Sequence, residues 1–545
     1  MKAPTDRSRS LDVVVVGAGF GGLYALHRLR GLGLSVRVYE AGSGVGGTWY
    51  WNRYPGARCD VESLEYSYSF SPELEQEWDW SERYAPQPEI LRYINHVADR
   101  FDLRRDIQFD TRVTAAAFDE TSGRWRITTD RGDEVSARFC VMATGCLSAV
   151  TTPDIQGLSS FRGNWFHTGQ WPHEGVDFSG QRVGVVGTGS SGIQSIPVIA
   201  QQASHVVVFQ RTPNFSLPAR NEPLAPATQA EVKADYRALR DAARSSFSAI
   251  AVSPPTEMAM EVEPDERQRR YEAAWARGGL MSVTTTFRDL ILDKAANDTA
   301  ADFIRSKISE LVDDPEVARV LTPTDHPFAT KRPCLDTGYF ETFNRDNVTL
   351  VDLRQAPITE IVPSGIRTTA GVHELDCIVF ATGFDAMTGP LLRVGIRGRG
   401  SRPLSDKWSA GPRTYLGIAT AGFPNLFILT GPGSPSVLSN MVMAIEQHVD
   451  WIADCLSFMA ANELDTIEAT VDAEDAWVDH VNQLANATLF PRANSWYMGA
   501  NVPGKPRVFL PYVGGFPQYR STCDDVAADG YRGFRLTVGP TADPR

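Results

Sequence analysis

The chain has 545 residues. At roughly 100–200 residues per domain that is three or four domain-sized pieces, which excludes a small stapled module. Charged residues make up 22% and hydrophobic residues 42%, a composition that folds throughout. With 53 Lys and Arg against 66 Asp and Glu, the net charge of −13 disfavours sequence-independent nucleic-acid binding, and an anionic cofactor must find its cations locally.

Met1–Asp12 is polar and mixed in charge, without the apolar region of a signal peptide, and no apolar run reaches the roughly 18 residues of a membrane span. The seven cysteines are scattered and form no CxxC pair, which argues against a disulfide framework, a zinc ribbon and a dithiol redox centre. These features predict a cytoplasmic protein with no metal site, no membrane or nucleic-acid partner and no obligate protein partner.

The first element is the β-branched run Leu11–Val16. It leads into Gly17-Ala18-Gly19-Phe20-Gly21-Gly22, an amphipathic helix through Arg30 and a second strand at Ser35–Glu40. In such a βαβ unit, glycines let the chain turn tightly against a pyrophosphate, which lies on the helix N-terminus. Glu40, 23 residues after Gly17, ends the second strand and can accept both hydroxyls of an adenosine ribose, as in FAD or NAD. A later stretch, Cys140–Gly145, reads as a buried strand closing on Ala-Thr-Gly.

The same unit returns at Arg182–Val186, Gly187-Thr188-Gly189-Ser190-Ser191-Gly192, a helix through about Gln202 and a strand at His205–Gln210. Here position 210 is a neutral glutamine followed by Arg211, so the acid that would repel a 2′-phosphate is gone and a guanidinium can bind that phosphate. The second unit therefore reads as an NADPH site. From Asn221 to about Pro327 the texture becomes helical, at Glu231–Arg244, Asp265–Arg277, Phe287–Ala296 and Thr299–Val312, with Pro254-Pro255 as a loop. Strand patterns resume at Val348–Asp352, Gly365–Thr369 and Cys377–Thr382. The last leads to a second Ala-Thr-Gly, and an amphipathic helix follows at Asn440–Met459.

The fold class is thus α/β, with two Rossmann-like dinucleotide-binding domains and a helical insertion. An Ala-Thr-Gly strand end after each unit resembles the two-dinucleotide flavoprotein arrangement, which with the order of the units implies a split FAD domain (1–149 and 390–545), an inserted NADP domain (150–222 and 328–389) and the helical insertion (223–327).

Between the two units, Phe161–Pro172 reads FRGNWFHTGQWP and fits FxGxxxHxxxWP. The stretch Gly46-Gly47-Thr48-Trp49 through Tyr54-Pro55-Gly56-Ala57-Arg58-Cys59-Asp60 fits GGxWxxxxYPGxxxD. On these motifs the chain resembles the type I Baeyer–Villiger monooxygenases from about Leu11 to Thr537, and within them the phenylacetone and steroid monooxygenases. The resemblance implies an FAD enzyme that uses NADPH and O2 to insert one oxygen beside a ketone carbonyl through an arginine-stabilised peroxyflavin, giving an ester or lactone, with sulfides as side substrates. The alternative is an N- or S-oxygenating flavin-containing monooxygenase.

The resemblance also implies roles for individual residues. Arg332 is the catalytic arginine and Asp60 the carboxylate that orients it. A fixed charge that cannot give up its proton suits an oxygen anion. The implied FAD contacts are Gly17, Gly19, Gly21, Gly22, Glu40, Gly46, Gly47, Thr48, Trp49, Asp60, Tyr66, Val113 and Met441. The implied NADP contacts are Arg58, Cys59 and Asp60 at the nicotinamide, then Thr188, Gly189, Ser190, Ser191, Gly192, Ile193, Gln194, Arg211, Thr212, Lys331 and the loop tryptophan Trp496. Ser436, Val437 and Leu438 shape the substrate pocket, and His167 has an ordering role between domains.

Overall fold

The computed structural model describes residues 10–539. The amino-terminal reading above therefore lies largely outside the described residues. Two parallel-cored sheets organise the chain. In the first, the strand Ser10–Val16 is central, paired in parallel with Val36–Tyr39 on one side and Glu134–Met142 on the other. Val13, Val14 and Val15 are fully buried because helices and strands cover both faces, which is why the run is continuously apolar rather than alternating. An antiparallel meander of Val113–Asp119, Arg124–Thr129 and Glu134–Met142 extends this sheet. Two strands from the far end of the chain complete it: Gly395–Arg397 pairs with Val113–Asp119, and Leu426–Ile428 pairs with the end of Glu134–Met142.

The second sheet has five strands, all parallel, in the order Val348–Asp352, His205–Gln210, Arg182–Val186, Cys377–Phe380, Asn164–His167. The fingerprint stretch therefore contributes its own edge strand, Asn164–His167, a role its sequence did not signal.

The helical region departs from its apolar spacing in two places. The pattern over Glu231–Arg244 is two helices, Pro226–Ala234 and Tyr236–Ser245. Asp235 breaks it, because its carboxylate accepts from the Ala238 N–H and caps the second helix. The pattern over Phe287–Ala296 is mostly turn. Phe287 and Leu290 are buried there, and the helix begins only at Lys294, capped by Asp293, and runs to Leu311. That helix absorbs the Thr299–Val312 pattern. Pro264–Arg277 forms as the spacing predicts, and Pro254-Pro255 lies in irregular chain. The late amphipathic helix is Met441–Ala461, with Asn440 as its cap. Among the described residues no helix is long and apolar enough to cross a membrane, and no group of three or more His, Cys, Asp or Glu is arranged to hold a metal.

Candidate active site

The two glycine turns are geometric twins. Gly17 and Gly187 have φ of +104° and +109°. A Cβ on either would sit 2.5 Å from the carbonyl oxygen of Ala143 or Ala381, the alanine of each Ala-Thr-Gly. A Cβ on Gly22 would lie 1.8 Å from the Gly17 carbonyl oxygen, and one on Gly192 would lie 2.2 Å from that of Gly187. These positions exclude side chains for packing reasons alone. The helices Phe20–Gly31 and Ser190–Gln202 start at Gly19 and Gly189, and no side chain caps either end. Their first-turn N–H groups and dipoles thus face outward, as an anion site requires. The twins differ in one respect. Gly19 lies against Gly47, whereas a Cβ on Gly189 would meet nothing within 4 Å.

The strand ends differ as their chemistry predicts. Glu40 is buried, with Oε2 accepting from the Ala18 N–H (2.7 Å) and Oε1 from the Gly42 N–H (2.8 Å). Burial pushes its carboxyl up, and the backbone donors oppose that. Each oxygen keeps a further lone pair for a ligand hydroxyl. Gln210 is buried, donating to the Val320 carbonyl. Arg211 is exposed beside Lys331. Burial pushes the Lys331 ammonium down, Asp325 offsets part of that, and Arg211 adds to it. Two like charges held this close favour a phosphate.

Around the Gly46-Gly47 stretch, the Trp49 indole donates to the Tyr66 hydroxyl (3.2 Å) and the rings meet edge to face. Thr48 is exposed and Val113 is buried at the start of its strand. Asn440, which caps the helix of Met441, donates to the Glu65 carbonyl at 2.9 Å and so brings Met441 beside the Tyr66 segment. A Cβ on Gly21 would meet Leu429 at 3.1 Å, so this glycine serves close packing.

Arg332 is the centre of charge. Its Nε donates to Asp60 Oδ2 (2.7 Å), Nη2 to Asp60 Oδ1 (2.8 Å) and Nη1 to the Val437 carbonyl (2.9 Å). The Tyr497 phenol lies near enough to act on the guanidinium electrostatically and raises it further. Burial alone would pull the guanidinium down, but Asp60 outweighs it and the net shift is upward, so the charge is permanent. Cys59, Cys146 and Cys334 all feel Arg332, yet burial pushes each thiol up, the latter two to about 11, so none offers a thiolate. Ser436 is fully buried at φ +43°, an uncommon conformation for a non-glycine residue, and Leu438 is half-buried. The turn places the Val437 carbonyl on Arg332.

His167 is buried, and its Nδ1 accepts from the Gly169 N–H (3.0 Å). Thr382 of the second Ala-Thr-Gly donates its hydroxyl to the Thr151 carbonyl (2.8 Å), so the 3.2 Å contact to His167 Nε2 makes that nitrogen the donor. The imidazole is neutral; burial pushes it down to about 4. The folded protein therefore binds fewer protons than the unfolded chain between about pH 4 and 6.5. Stability from this group is complete above pH 6.5 and declines as pH falls toward 4, by about 2 kcal/mol at pH 5. Urea midpoints at pH 8 and pH 5 for wild type and His167→Gln check this: the wild type is expected to lose more on acidification, and equal losses would refute it.

Three predicted contacts sit differently from the simple expectation. The Arg58 guanidinium is held by Glu82 and the Tyr84 carbonyl, so it does not reach freely toward a nicotinamide. The Ile193 side chain is in the apolar core, leaving only its backbone toward the helix end. Gln194 bolts the two halves together, accepting from the Tyr54 hydroxyl (2.8 Å) and donating to the Arg58 carbonyl (3.1 Å). Thr188 donates to the Thr212 carbonyl, Ser190 contacts Cys334 Sγ, and Ser191 is half-buried beside Tyr54. Trp496 is half-buried with its ring 4.3 Å from that of Tyr497. Tyr497 itself was missed by the sequence reading. It adjoins Trp496, but nothing local shows which side of the turn meets Arg332.

A family model described as pyridine nucleotide-disulphide oxidoreductase matches residues 11–236. All seven cysteines are free and buried, so that likeness concerns the nucleotide-binding fold rather than a dithiol. A Baeyer–Villiger monooxygenase of Pseudooceanicola batsensis is 47% identical, with 95% of each chain covered. A solved structure of oxidized steroid monooxygenase bound to NADP is 57% identical over 97% of this chain and 100% of that one, with a TM-score of 0.93. The closed crystal structure of cyclohexanone monooxygenase is 45% identical over 98% and 100%, with a TM-score of 0.96. With twin glycine turns, the linking fingerprint and a carboxylate-clamped arginine in one continuous likeness, the chain belongs to the type I Baeyer–Villiger monooxygenases.

Proposed function

We propose that this protein is an FAD- and NADPH-dependent monooxygenase that inserts one atom of O2 beside the carbonyl of a ketone. The balance is ketone, NADPH, H⁺ and O2 giving ester or lactone, NADP⁺ and water. The observation that carries this reading is the Arg332–Asp60 pair, a permanent positive charge locked in orientation, with its third side fixed by the Val437 carbonyl of the substrate-pocket loop.

The residues fit both cofactors. The first turn (Gly17, Gly19, Gly22) with Glu40, the Gly46-Gly47-Thr48-Trp49 stretch, Tyr66, Val113 and Met441 would hold FAD. Glu40 lends an acceptor to an unphosphorylated ribose. The open turn at Gly189 with Ser190, Ser191, Arg211, Thr212 and Lys331 would hold NADPH, with Trp496 closing over it. When bound, NADPH supplies a hydride and the flavin passes those electrons to O2. Arg332 then stabilises negative charge as it develops on oxygen, and Asp60 keeps the guanidinium aimed there. Tyr497 lies near the same guanidinium, and the Cys59, Cys146 and Cys334 thiols stay protonated around it. Within this reading, 1–149 with 390–545 form the FAD domain, 150–222 with 328–389 the NADP domain and 223–327 the helical insertion. The division is supported by which strands enter which sheet.

A panel of aryl, steroid and cyclic ketones scored by ester yield per NADPH tests the function, and parallel incubation with an amine and a sulfide tests N- and S-oxygenation. Ester from no ketone, with N-oxide from the amine, would overturn the reading. Arg211→Ala is expected to raise the NADPH Michaelis constant at least about tenfold and the NADH one less than about twofold, since it removes a phosphate contact that NADH lacks. Equal changes would count against Arg211 as the phosphate ligand.

A further inference from the structure

Past the Trp496–Met498 turn, the chain runs out through Asn501 and Lys505 and returns at Leu510, whose N–H donates to the Tyr497 carbonyl (2.8 Å). Three side-chain hydrogen bonds tie this excursion to one short stretch. Lys505 Nζ donates to Asp385 Oδ1 (2.7 Å) and to the Ala386 carbonyl (2.8 Å), and Asn501 donates to the Phe384 carbonyl (2.7 Å). The ion pair is largely enclosed, with side chains 10% and 24% exposed.

Residues 383–388 begin at the glycine of the second Ala-Thr-Gly and cross residues 145–151, which begin at the glycine of the first. The Asp385 N–H donates to the Ala149 carbonyl (2.8 Å), Met387 N–H to Cys146 (2.9 Å) and Thr151 N–H to Gly383 (3.1 Å). The crossing is also where His167 and Thr382 meet. Lys505 therefore joins the segment that carries Tyr497 to the junction that fixes one sheet against the other. An exposed ion pair would contribute little, but an enclosed one leaves an unpaired charge when either partner is removed.

Resting on the monooxygenase reading, we propose that Lys505 and Asp385 are positioning residues for its reaction. Their ion pair latches the 496–510 segment onto the crossing between the sheets, holding Tyr497 beside Arg332 and limiting the access of water to that charge. With the latch broken, more of the electron pair from NADPH leaves as hydrogen peroxide (NADPH, H⁺ and O2 giving NADP⁺ and H2O2) instead of ester and water.

The test is hydrogen exchange of peptides covering 494–510 in the FAD-loaded protein with NADP⁺ and no ketone, so that no turnover is needed. Lys505→Met and Asp385→Asn are each expected to speed exchange there about tenfold, the double variant no more than the faster single, and Lys505→Arg within about twofold of wild type, as coupled partners require. The peroxide share of NADPH consumption should rise in the same order. Unchanged exchange in both single variants, additive effects in the double, or acceleration spread evenly over the whole chain would overturn the latch. Because exchange is read without turnover, a wild type that oxidises no ketone would refute the function while leaving the latch to be judged on exchange alone.

Discussion

Arg332→Ala is expected to lower ester formation by at least about 1,000-fold while NADPH oxidation continues, since removing a preorganised donor to developing oxygen charge has effects of this order. Arg332 joins Asp60 and the Val437 carbonyl through one side chain, and its charge is permanent under any working pH. Hydride delivery from NADPH does not use that charge, so oxidation without ketone should persist, with peroxide as the product. Arg332→Lys should recover little, because an ammonium cannot span both oxygens of Asp60 and the Val437 carbonyl in one plane. Gas chromatography of the ester beside the NADPH absorbance decides it. Ester within about tenfold of wild type in Arg332→Ala would remove the role assigned to this arginine.

Asp60→Ala should damage both activity and stability. It strands a guanidinium among Cys59, Cys146, Cys334 and Tyr497, and breaking one side of such a pair costs about 3 kcal/mol, at the low end because Arg332 keeps 23% side-chain exposure. Thermal denaturation is expected to shift down by about 3 °C. Asp60→Asn, which preserves hydrogen bonding without charge, should shift it less. The discriminating measurement is the double variant: Asp60→Ala with Arg332→Ala leaves no stranded charge, so it should be more stable than Asp60→Ala alone. A double variant less stable than both singles would show that the pair acts by packing rather than by charge compensation.

Much of the scaffold was legible because its causes are local. Gly17 and Gly187 need a positive φ and a Cβ-free approach to an alanine carbonyl, so the turn can be read wherever glycine spacing follows a β-branched run. The helical region was less legible. Its apolar spacing at Phe287 and Leu290 comes from turns packed into a core, and Asp235 stops a pattern that spacing alone would continue. The edge strand Asn164–His167 was hidden because its pairing partner, Cys377–Phe380, lies more than 200 residues along the chain.

The same division runs through the site. The motifs and the identity of Arg332 and Asp60 came from the sequence through family likeness, and the neutral Gln210 followed by Arg211 came from it through charge alone. Only the tertiary structure shows that Tyr497 lies near Arg332, that the Arg58 side chain is committed to Glu82, that Gln194 bridges the two halves and that Lys505 reaches Asp385. The reason is physical. Strand, turn and helix preferences are set by residues a few positions apart, and so are written in order along the chain. The partner of a buried charge is set by how two sheets dock: Asp60 and Arg332 are 272 residues apart in sequence and 2.7 Å apart in space.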